Sequence, residues 1–549
     1  MQSGETGALR LSLTARWPLF AAIALLFAIG LPRYLEAVHR NDGRWVYPLD
    51  DTYISLAVAN TFASTGIWGL TPNSGFSFGT SAPLYPVLLA GFFRFTGVHE
   101  ITPLLVNLAV GLILLWWIEA RLRREPVSAR VRFVVLAAVI LLTPLHLLIL
   151  SGMEHTIQTL LSVIFLFDGT EALTRPQGTH DPKRDRRLTL RLAITAFLLT
   201  GIRYEGLFLV FIVCCLLLLR RAWRLAFFLG GIALLPPLIF GLISKSMGWK
   251  MLPNSVLLKA TTPGAGLGTF LATGLQQLTA NPHMYALALA FAVALFFQTG
   301  REGSFWKPRA VRLVLWLALL ALHMQFAKTG WVFRYEAYLV ATGLVLLGTI
   351  SLPSWRAAFS DRELRAGQAA ACFFFALFAL WPLAARGHAA HNTVARASTN
   401  IYEQQYQMAR FLRQFYPEAT VAANDVGVIT FLTNINCIDL FGLTSKEVLL
   451  AKRAGKFNSV FIRRLARKRN VEIAIVYDWW YDVAGGIPPS WTKVGEWKIF
   501  HNAVLGGDVV SFYAVKPELA ADLASKLREF SPQLPKTVEQ RGAYLDPEP

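Results

Sequence analysis

Two carboxylates stand side by side in Tyr47-Pro48-Leu49-Asp50-Asp51-Thr52-Tyr53-Ile54-Ser55, where a loop turns into a helical pattern. Capping of a helix start accounts for one acidic residue and leaves the second unexplained. A carboxylate in a partly dry place can accept a proton from a hydroxyl, and a pair can divide that work between a base and an orienting group. Two adjacent carboxylates can also share one proton or a divalent cation, so the residues leave open which of Asp50 and Asp51 is the base and whether a metal takes part.

Other ionisable residues stand at the ends of apolar runs. Glu154 and His155 open one run, Arg203 and Glu205 occupy the short break between two others, and Arg334-Tyr335 opens another. Lys259 follows Leu252-Pro253-Asn254-Ser255. Ionisable groups at membrane depth are costly and tend to mark a site or a substrate path. The plainer alternatives are an Arg203–Glu205 ion pair and snorkelling of Lys259 and Arg334 to lipid phosphates. Because clusters from distant positions fall on one predicted side, a shared polar cavity is the expectation.

The elements that must position these groups follow from composition. The 549 residues are 54% hydrophobic and only 16% charged, with 53 Lys+Arg against 34 Asp+Glu for a net charge of +19. With a mean hydropathy of +0.44, this is a membrane protein and not a disordered regulator or a cytosolic enzyme. The basic residues lie in short clusters between apolar runs, so the charge reflects topology and not nucleic-acid binding. Cys214, Cys215 and Cys372 lie in apolar runs and Cys437 stands apart, so no disulfide framework or metal quartet is expected.

Eleven apolar runs, at about 17–34, 101–118, 131–150, 155–172, 189–201, 205–220, 222–244, 283–299, 311–327, 335–351 and 366–384, are candidate transmembrane helices. With the N-terminus in the cytoplasm, the inside segments hold 23 Lys and Arg and the outside loops 10. That asymmetry orients the chain. The first run reads as an anchor, not a cleaved signal peptide. The expected fold is a polytopic helical membrane domain over 1–385, with a first periplasmic loop at 33–100, followed by a periplasmic α/β domain over 386–549. In the loop, Ile54, Ala57, Val58 and Phe62 suit an amphipathic helix over 51–64 lying in the interface, and 83–95 is too short to cross. In the outer domain, 420–423, 471–477 and 509–515 are strand-like, 402–416 and 459–468 are helical, and the tail after Ser531 is polar and expected to fray.

The chain resembles the GT-C superfamily of polyprenyl-phosphate-sugar-dependent glycosyltransferases. The resemblance rests on Asp50-Asp51-Thr52-Tyr53-Ile54-Ser55 followed by Gly79-Thr80-Ser81-Ala82-Pro83-Leu84-Tyr85-Pro86. Ser151-Gly152-Met153-Glu154, Thr200-Gly201-Ile202-Arg203-Tyr204-Glu205-Gly206 and Leu252-Pro253-Asn254-Ser255 with Lys259 extend it in the expected order. Asn424-Asp425-Val426-Gly427-Val428-Ile429 and Ile438-Asp439-Leu440-Phe441-Gly442-Leu443 carry it into the outer domain. It is closest to the branch that includes the mycobacterial terminal arabinofuranosyltransferase; Tyr204 departs from the Pro that many relatives have there.

The resemblance implies inverting transfer of a sugar from a polyprenyl-phosphate donor to a cell-envelope glycan or glycolipid, at the outer face of the bacterial inner membrane. Asp50 is then the first choice for the base and Asp51 its orienting neighbour. Lys259, Arg334, Tyr335 and Arg203 would hold the donor phosphate, and Glu154, His155, Glu205 and Asn254 the substrates. No cofactor is implied beyond the divalent cation left open above. The partners would be the lipid-linked donor, the acceptor and membrane lipids, with no nucleic acid. An oligosaccharyl- or protein O-glycosyltransferase of the same architecture is the nearest alternative. A lipid-linked sugar transporter or flippase is a different class, but internal repeats and paired broken helices are lacking. Asp478-Trp479-Trp480-Tyr481-Asp482 is similar to the Trp-Trp-Asp-Tyr-Gly signature of oligosaccharyltransferases, with the order changed and the final Gly missing. These aromatics are expected to close the α/β domain or touch the membrane or the acceptor.

Overall fold

The computed structural model describes residues 2–175, 181–259, 267–299, 305–358 and 365–545. The chain divides into two compact units, each assembled from separated segments. One comprises Met1–Pro32, Leu104–Pro237 and Thr262–Asn392; the other comprises Arg33–Pro103, Leu238–Thr261 and Thr393–Pro549.

The first unit is helical, and every one of the eleven apolar runs falls on helix. Among the described residues, Arg16–Arg40, Thr102–Leu122, His155–Thr174, Trp223–Ser246 and Pro308–Phe326 are long and apolar enough to cross a bilayer. The helices Ala129–Leu142 and Leu145–Ser151, bent by 47°, make a sixth such span if taken together. Three of the remaining runs give shorter apolar helices, Gly206–Leu219, Pro282–Ala292 and Ala337–Thr349. Part of the eleventh run, with Cys372, lies outside the described side chains. Ion pairs tie the bundle internally: Arg386 meets Glu336 at 3.0 Å, and Arg312 meets Glu125 at 3.0 Å. Buried charges survive only when paired in this way.

The second unit is built on a six-stranded mixed sheet of order β2-β1-β3-β5-β4-β6. The strands are β1 (Thr420–Ala423), β2 (Asn436–Asp439), β3 (Ile473–Val476), β4 (Thr492–Lys498), β5 (Val509–Ala514) and β6 (Glu539–Arg541). β1 runs parallel to β2 and β3, and the other pairings are antiparallel. Side chains alternate across the sheet. Ala422, Ala474 and Tyr513, neighbours in register, face a core completed by Val448, Ile462 and Leu465. On the other face Phe512 meets Phe411 and Trp497, with Phe530 stacked on Trp497.

Two expectations are corrected. The tail does not fray at Ser531, because Glu539–Arg541 pairs with β4 and Tyr544 is fully buried. The loop helix spans Asp50–Thr65 and is no half-wetted surface helix. Nine of its residues between Thr52 and Thr61 are buried, polar Thr52 and Ser55 among them, whereas Phe62 is exposed. It is enclosed by the helices Leu84–Thr96 and Gly427–Phe431.

Candidate functional site

Residues expected to act together fall into two groups, one in each unit. In the sheet unit the chain leaves β1 to one side, toward β2, and β3 lies on the other side of β1. The C-terminal edge of β1 is therefore a topological switch point, where such sheets open a crevice. Asn424 and Asp425 sit on that edge. Asn424 accepts from the Tyr477 amide at 3.0 Å and donates to the Tyr481 hydroxyl at 2.9 Å, fixing the end of β3 against the end of β1.

Asp50 reaches this edge from the first loop. It does not cap its own helix, whose N-cap is Leu49 without a side-chain bond. Its carboxylate accepts instead from the backbone amides of Gly427 and Val428, each at 2.8 Å, capping the helix Gly427–Phe431 from 377 residues away. The approach is so close that a Cβ on Gly427 would lie 2.1 Å from the Asp50 carbonyl oxygen, so only glycine fits. Burial and the charge of Asp425 push the Asp50 carboxyl up to about 8, against the two amide bonds, which pull it down. Asp51 follows in the first turn of the same helix, half-buried, and its charge acts on both Asp50 and Asp425.

Asp439, at the end of β2, spends both oxygens on the following loop, accepting from the amides of Phe441, Gly442 and Thr444 and from the Thr444 hydroxyl. The Asn254 amide donates to the Gly442 carbonyl at 3.1 Å, and its backbone N–H to the Phe78 carbonyl at 2.9 Å. Asn254 therefore joins three chain segments of this unit. Lys259 ends the helix Asn254–Lys259, and its side chain falls outside the described residues. A divalent cation finds no preassembled ligand set here. The oxygens of Asp50 and Asp439 already accept N–H donors, and among the described residues no three His, Cys, Asp or Glu side chains are grouped to hold a metal. In the aromatic motif Tyr481 is buried, and Trp480 donates to the Gly506 carbonyl at 3.0 Å; both close the domain, while Trp479 is 61% exposed.

The helical unit gathers the other group. Glu154, Arg203 and Glu205 each flank a helix end. The Arg203 guanidinium gives Nη1 to Glu154 at 3.0 Å and grips Glu205 with its other two nitrogens, Nε at 3.0 Å. Its charge is thus met by two carboxylates, and the pairs order the hairpin. Arg334 lies 5.1 Å above the Tyr335 ring, with Arg203 at 5.7 Å from the same ring and His155 at 6.0 Å. The turn that presents Arg334 is left-handed at three consecutive non-glycine residues, Trp331, Val332 and Phe333, with φ of 37°, 57° and 59°. Such backbone is strained, most of all for a β-branched side chain, and holds only where neighbours enforce it. Arg386 does so by donating to the Phe333 carbonyl while pairing with Glu336, which in turn accepts from the Gly330 amide at 2.8 Å.

Sequence reasoning passed over Gln405 and Tyr477, which donate to Asp425, and Gln404, which accepts from Tyr477. The available signal was position: Asp425 lies just beyond the strand-like run 420–423, and Tyr477 ends the run 471–477. Nothing in the sequence marked the glutamines, which a π-helical turn, Tyr402–Tyr406, presents side by side: Gln405 donates to Asp425 and Gln404 accepts from Tyr477.

Solved structures of low sequence identity share this fold. An oligosaccharyltransferase of Archaeoglobus fulgidus is similar with a TM-score of 0.53 at 13% identity, over 92% of this chain and 74% of that one. ArnT from Cupriavidus metallidurans, bound to undecaprenyl phosphate, gives 0.52 at 13% identity over 91% and 98%. The same protein in its apo state gives 0.53 at 12% identity over 91% and 98%. Residues 399–513 match the family DUF8728, described as a domain of unknown function. No curated protein sequence matches the chain.

Proposed function

We propose that the protein is a membrane glycosyltransferase that moves a sugar from a polyprenyl-phosphate carrier to a glycan or glycolipid hydroxyl of the cell envelope, with inversion. The observation that carries the reading is the carboxylate centre of Asp50, Asp51 and Asp425 at the switch point of the outer sheet, set in a fold similar to that of an enzyme bound to undecaprenyl phosphate. A carboxylate of this centre takes the acceptor proton as the hydroxyl oxygen attacks the anomeric carbon. Arg334, held over Tyr335 by the strained turn, stabilises the charge that grows on the departing phosphate, and Lys259 assists. Eleven crossings with a cytoplasmic N-terminus put the carboxylate centre on the periplasmic side of the inner membrane, in keeping with the asymmetry of 23 to 10 in basic residues. The arabinofuranosyltransferase branch stands as the finer assignment. A peptide acceptor is the second reading, favoured by similarity to an oligosaccharyltransferase.

The test is to incubate purified protein with a panel of polyprenyl-phosphate sugars and follow release of polyprenyl phosphate, with glycan, glycolipid and peptide acceptors in parallel. Arg334→Lys should keep part of the turnover and Arg334→Gln should lose far more, because arginine binds phosphate through a planar fork and lysine as a point charge. Release by neither wild type nor any donor overturns the reading, and equal turnover of both variants removes Arg334 from it.

A further inference from the structure

The stretch 445–470 holds nine Lys and Arg against one acidic residue, Glu447, and Arg469 pairs with it. On the helix Ser459–Lys468, Arg463, Arg464, Arg467 and Lys468 are exposed while Ile462, Leu465 and Ala466 are buried. Residues four apart stand above one another, so the four cations form one stripe. Among the described residues none of the four has a carboxylate partner. The preceding helix, Lys446–Arg453, lies against the segment that follows the apolar helix Trp223–Ser246. Lys446 at its start donates to the Gly248 carbonyl, and Arg453 at its end lines a cleft of about 350 Å³ with Lys250, Leu257, Leu449, Leu450 and Ala454. All of these residues belong to the sheet-bearing unit.

Trp223–Ser246 is long and apolar enough to cross a bilayer, so residues 247–252 stand where the hydrocarbon ends. The sequence there, Met247-Gly248-Trp249-Lys250-Met251-Leu252, has the make-up of a membrane interface, with an aromatic ring and a cation beside exposed Met247, Met251 and Leu252. The cleft offers two kinds of surface at that depth. Leu257 and Leu449 give it apolar walls, while Lys250 and Arg453 are exposed cations with no carboxylate partner among the described residues. Its volume stands at the lower end of small-ligand sites, about 300 to 1,000 Å³, which suits a headgroup and leaves acyl chains to run outside. A soluble phosphate would meet the two cations but leave the exposed methionines, Leu252 and Leu450 in water; a lipid covers both. We propose that the cleft holds the phosphate headgroup of an anionic membrane phospholipid between Lys250 and Arg453, and that the stripe on the helix Ser459–Lys468 supplies the field that draws such lipids to this face. The inference is independent of the glycosyl-transfer reading, because the lipid is a resident of the bilayer and not the sugar donor. Each basic residue at an anionic lipid surface is worth about fivefold in partitioning, so the two cations at the cleft together account for about 25-fold.

The experiment counts lipids on the full-length protein by native mass spectrometry from detergent, during titration with phosphatidylglycerol, phosphatidylcholine or soluble glycerol phosphate. Wild type should retain a phosphatidylglycerol that phosphatidylcholine does not replace, and salt at about 0.5 M should weaken it, since the cations are exposed. Lys250→Gln combined with Arg453→Gln should weaken that lipid by about 10- to 30-fold. Arg413→Gln removes an exposed charge from the helix Gln407–Phe415, which packs through Phe411 on the opposite face of the sheet, and should leave the lipid in place. Hydrogen exchange of wild type in nanodiscs needs no variant: the amides of 446–453 should exchange several-fold more slowly with phosphatidylglycerol in the disc than with phosphatidylcholine alone. Equal retention of the two lipids, equal affinity of wild type and the double variant, or unchanged exchange overturns the proposal. Glycerol phosphate held as tightly as phosphatidylglycerol overturns the lipid as occupant and makes the cleft a small-anion site.

Discussion

Replacing Gly427 by alanine tests the clasp between the first loop and the sheet domain. The new methyl would stand 2.1 Å from the Asp50 carbonyl oxygen and 2.8 Å from its Oδ1. Backbone cannot swing aside as a side chain can, so the helix Gly427–Phe431 must retreat and release both amide bonds to Asp50. With its carboxyl raised to about 8, Asp50 is mostly neutral at pH 7, and hydrogen bonds to a neutral group contribute about 0.5 to 1.5 kcal/mol each, so the pair is worth about 1 to 3 kcal/mol. Asp50 is half-buried and water recovers part of this, which leaves a loss of about 1.5 to 2 kcal/mol. For a unit of about 250 residues, each kcal/mol moves Tm by about 2 to 4 °C, so a fall of roughly 3 to 8 °C is expected. Thermal unfolding in detergent, together with hydrogen exchange at the amides of Gly427 and Val428, provides the assay. Gly91→Ala is the control, because a Cβ there meets nothing within 4 Å in the helix Leu84–Thr96, and it should be neutral or slightly stabilising. A Gly427→Ala variant within about 2 °C of wild type, with both amides still protected, would refute the reasoning.

Two further outcomes are expected. Arg203→Gln strands Glu154 and Glu205 in a buried place and should cost about 3 to 5 kcal/mol, seen as lower folded yield and Tm; adding Glu154→Gln should cost less than the two single losses summed. Asp50 has its carboxyl raised from 3.8 to about 8 in the folded chain, and Asp425 is shifted in the same direction. The folded state therefore holds protons that the unfolded chain releases, its contribution is present below about pH 4 and is lost as pH rises toward 8, and Tm should fall across that window. Asp50→Asn should flatten the decline, and a Tm that rises steadily from pH 5 to pH 8 would contradict the assignment.

The apolar runs gave away the helices because hydrophobicity sustained over a bilayer's thickness is a long, redundant signal. The hairpin at Arg203 and Glu205 was readable for the same reason: two runs leave a break too short for anything but a turn. In the sheet, the runs at 420–423, 471–477 and 509–515 cover β1, β3 and β5, whose buried residues are mostly apolar and suited to strands. β2 escaped because Asn436-Cys437-Ile438-Asp439 is too short and too polar at its ends to show alternation. β4 escaped because Gly495, two lysines and a glutamate interrupt its pattern; a Cβ at Gly495 would lie 2.3 Å from the Tyr544 ring, a tertiary demand invisible locally. The carboxylates of the first loop stood out by being adjacent. What they do was hidden, since the amides that hold Asp50 and the glutamine that donates to Asp425 come from the last third of the chain.

The clasp between Asp50 and Gly427 also sets a schedule for biosynthesis. Ribosomes add about 5 to 20 residues per second, so 377 residues correspond to roughly 20 to 75 s of synthesis. For that interval the helix Asp50–Thr65, whose side chains are mostly buried in the finished protein, has been made and its capping partner has not. Nascent chains would thus pass through a stage in which an apolar helix has its early partner, Leu84–Thr96, but lacks the cover of Gly427–Phe431. A lipid surface or a chaperone is the natural guardian of the face left open.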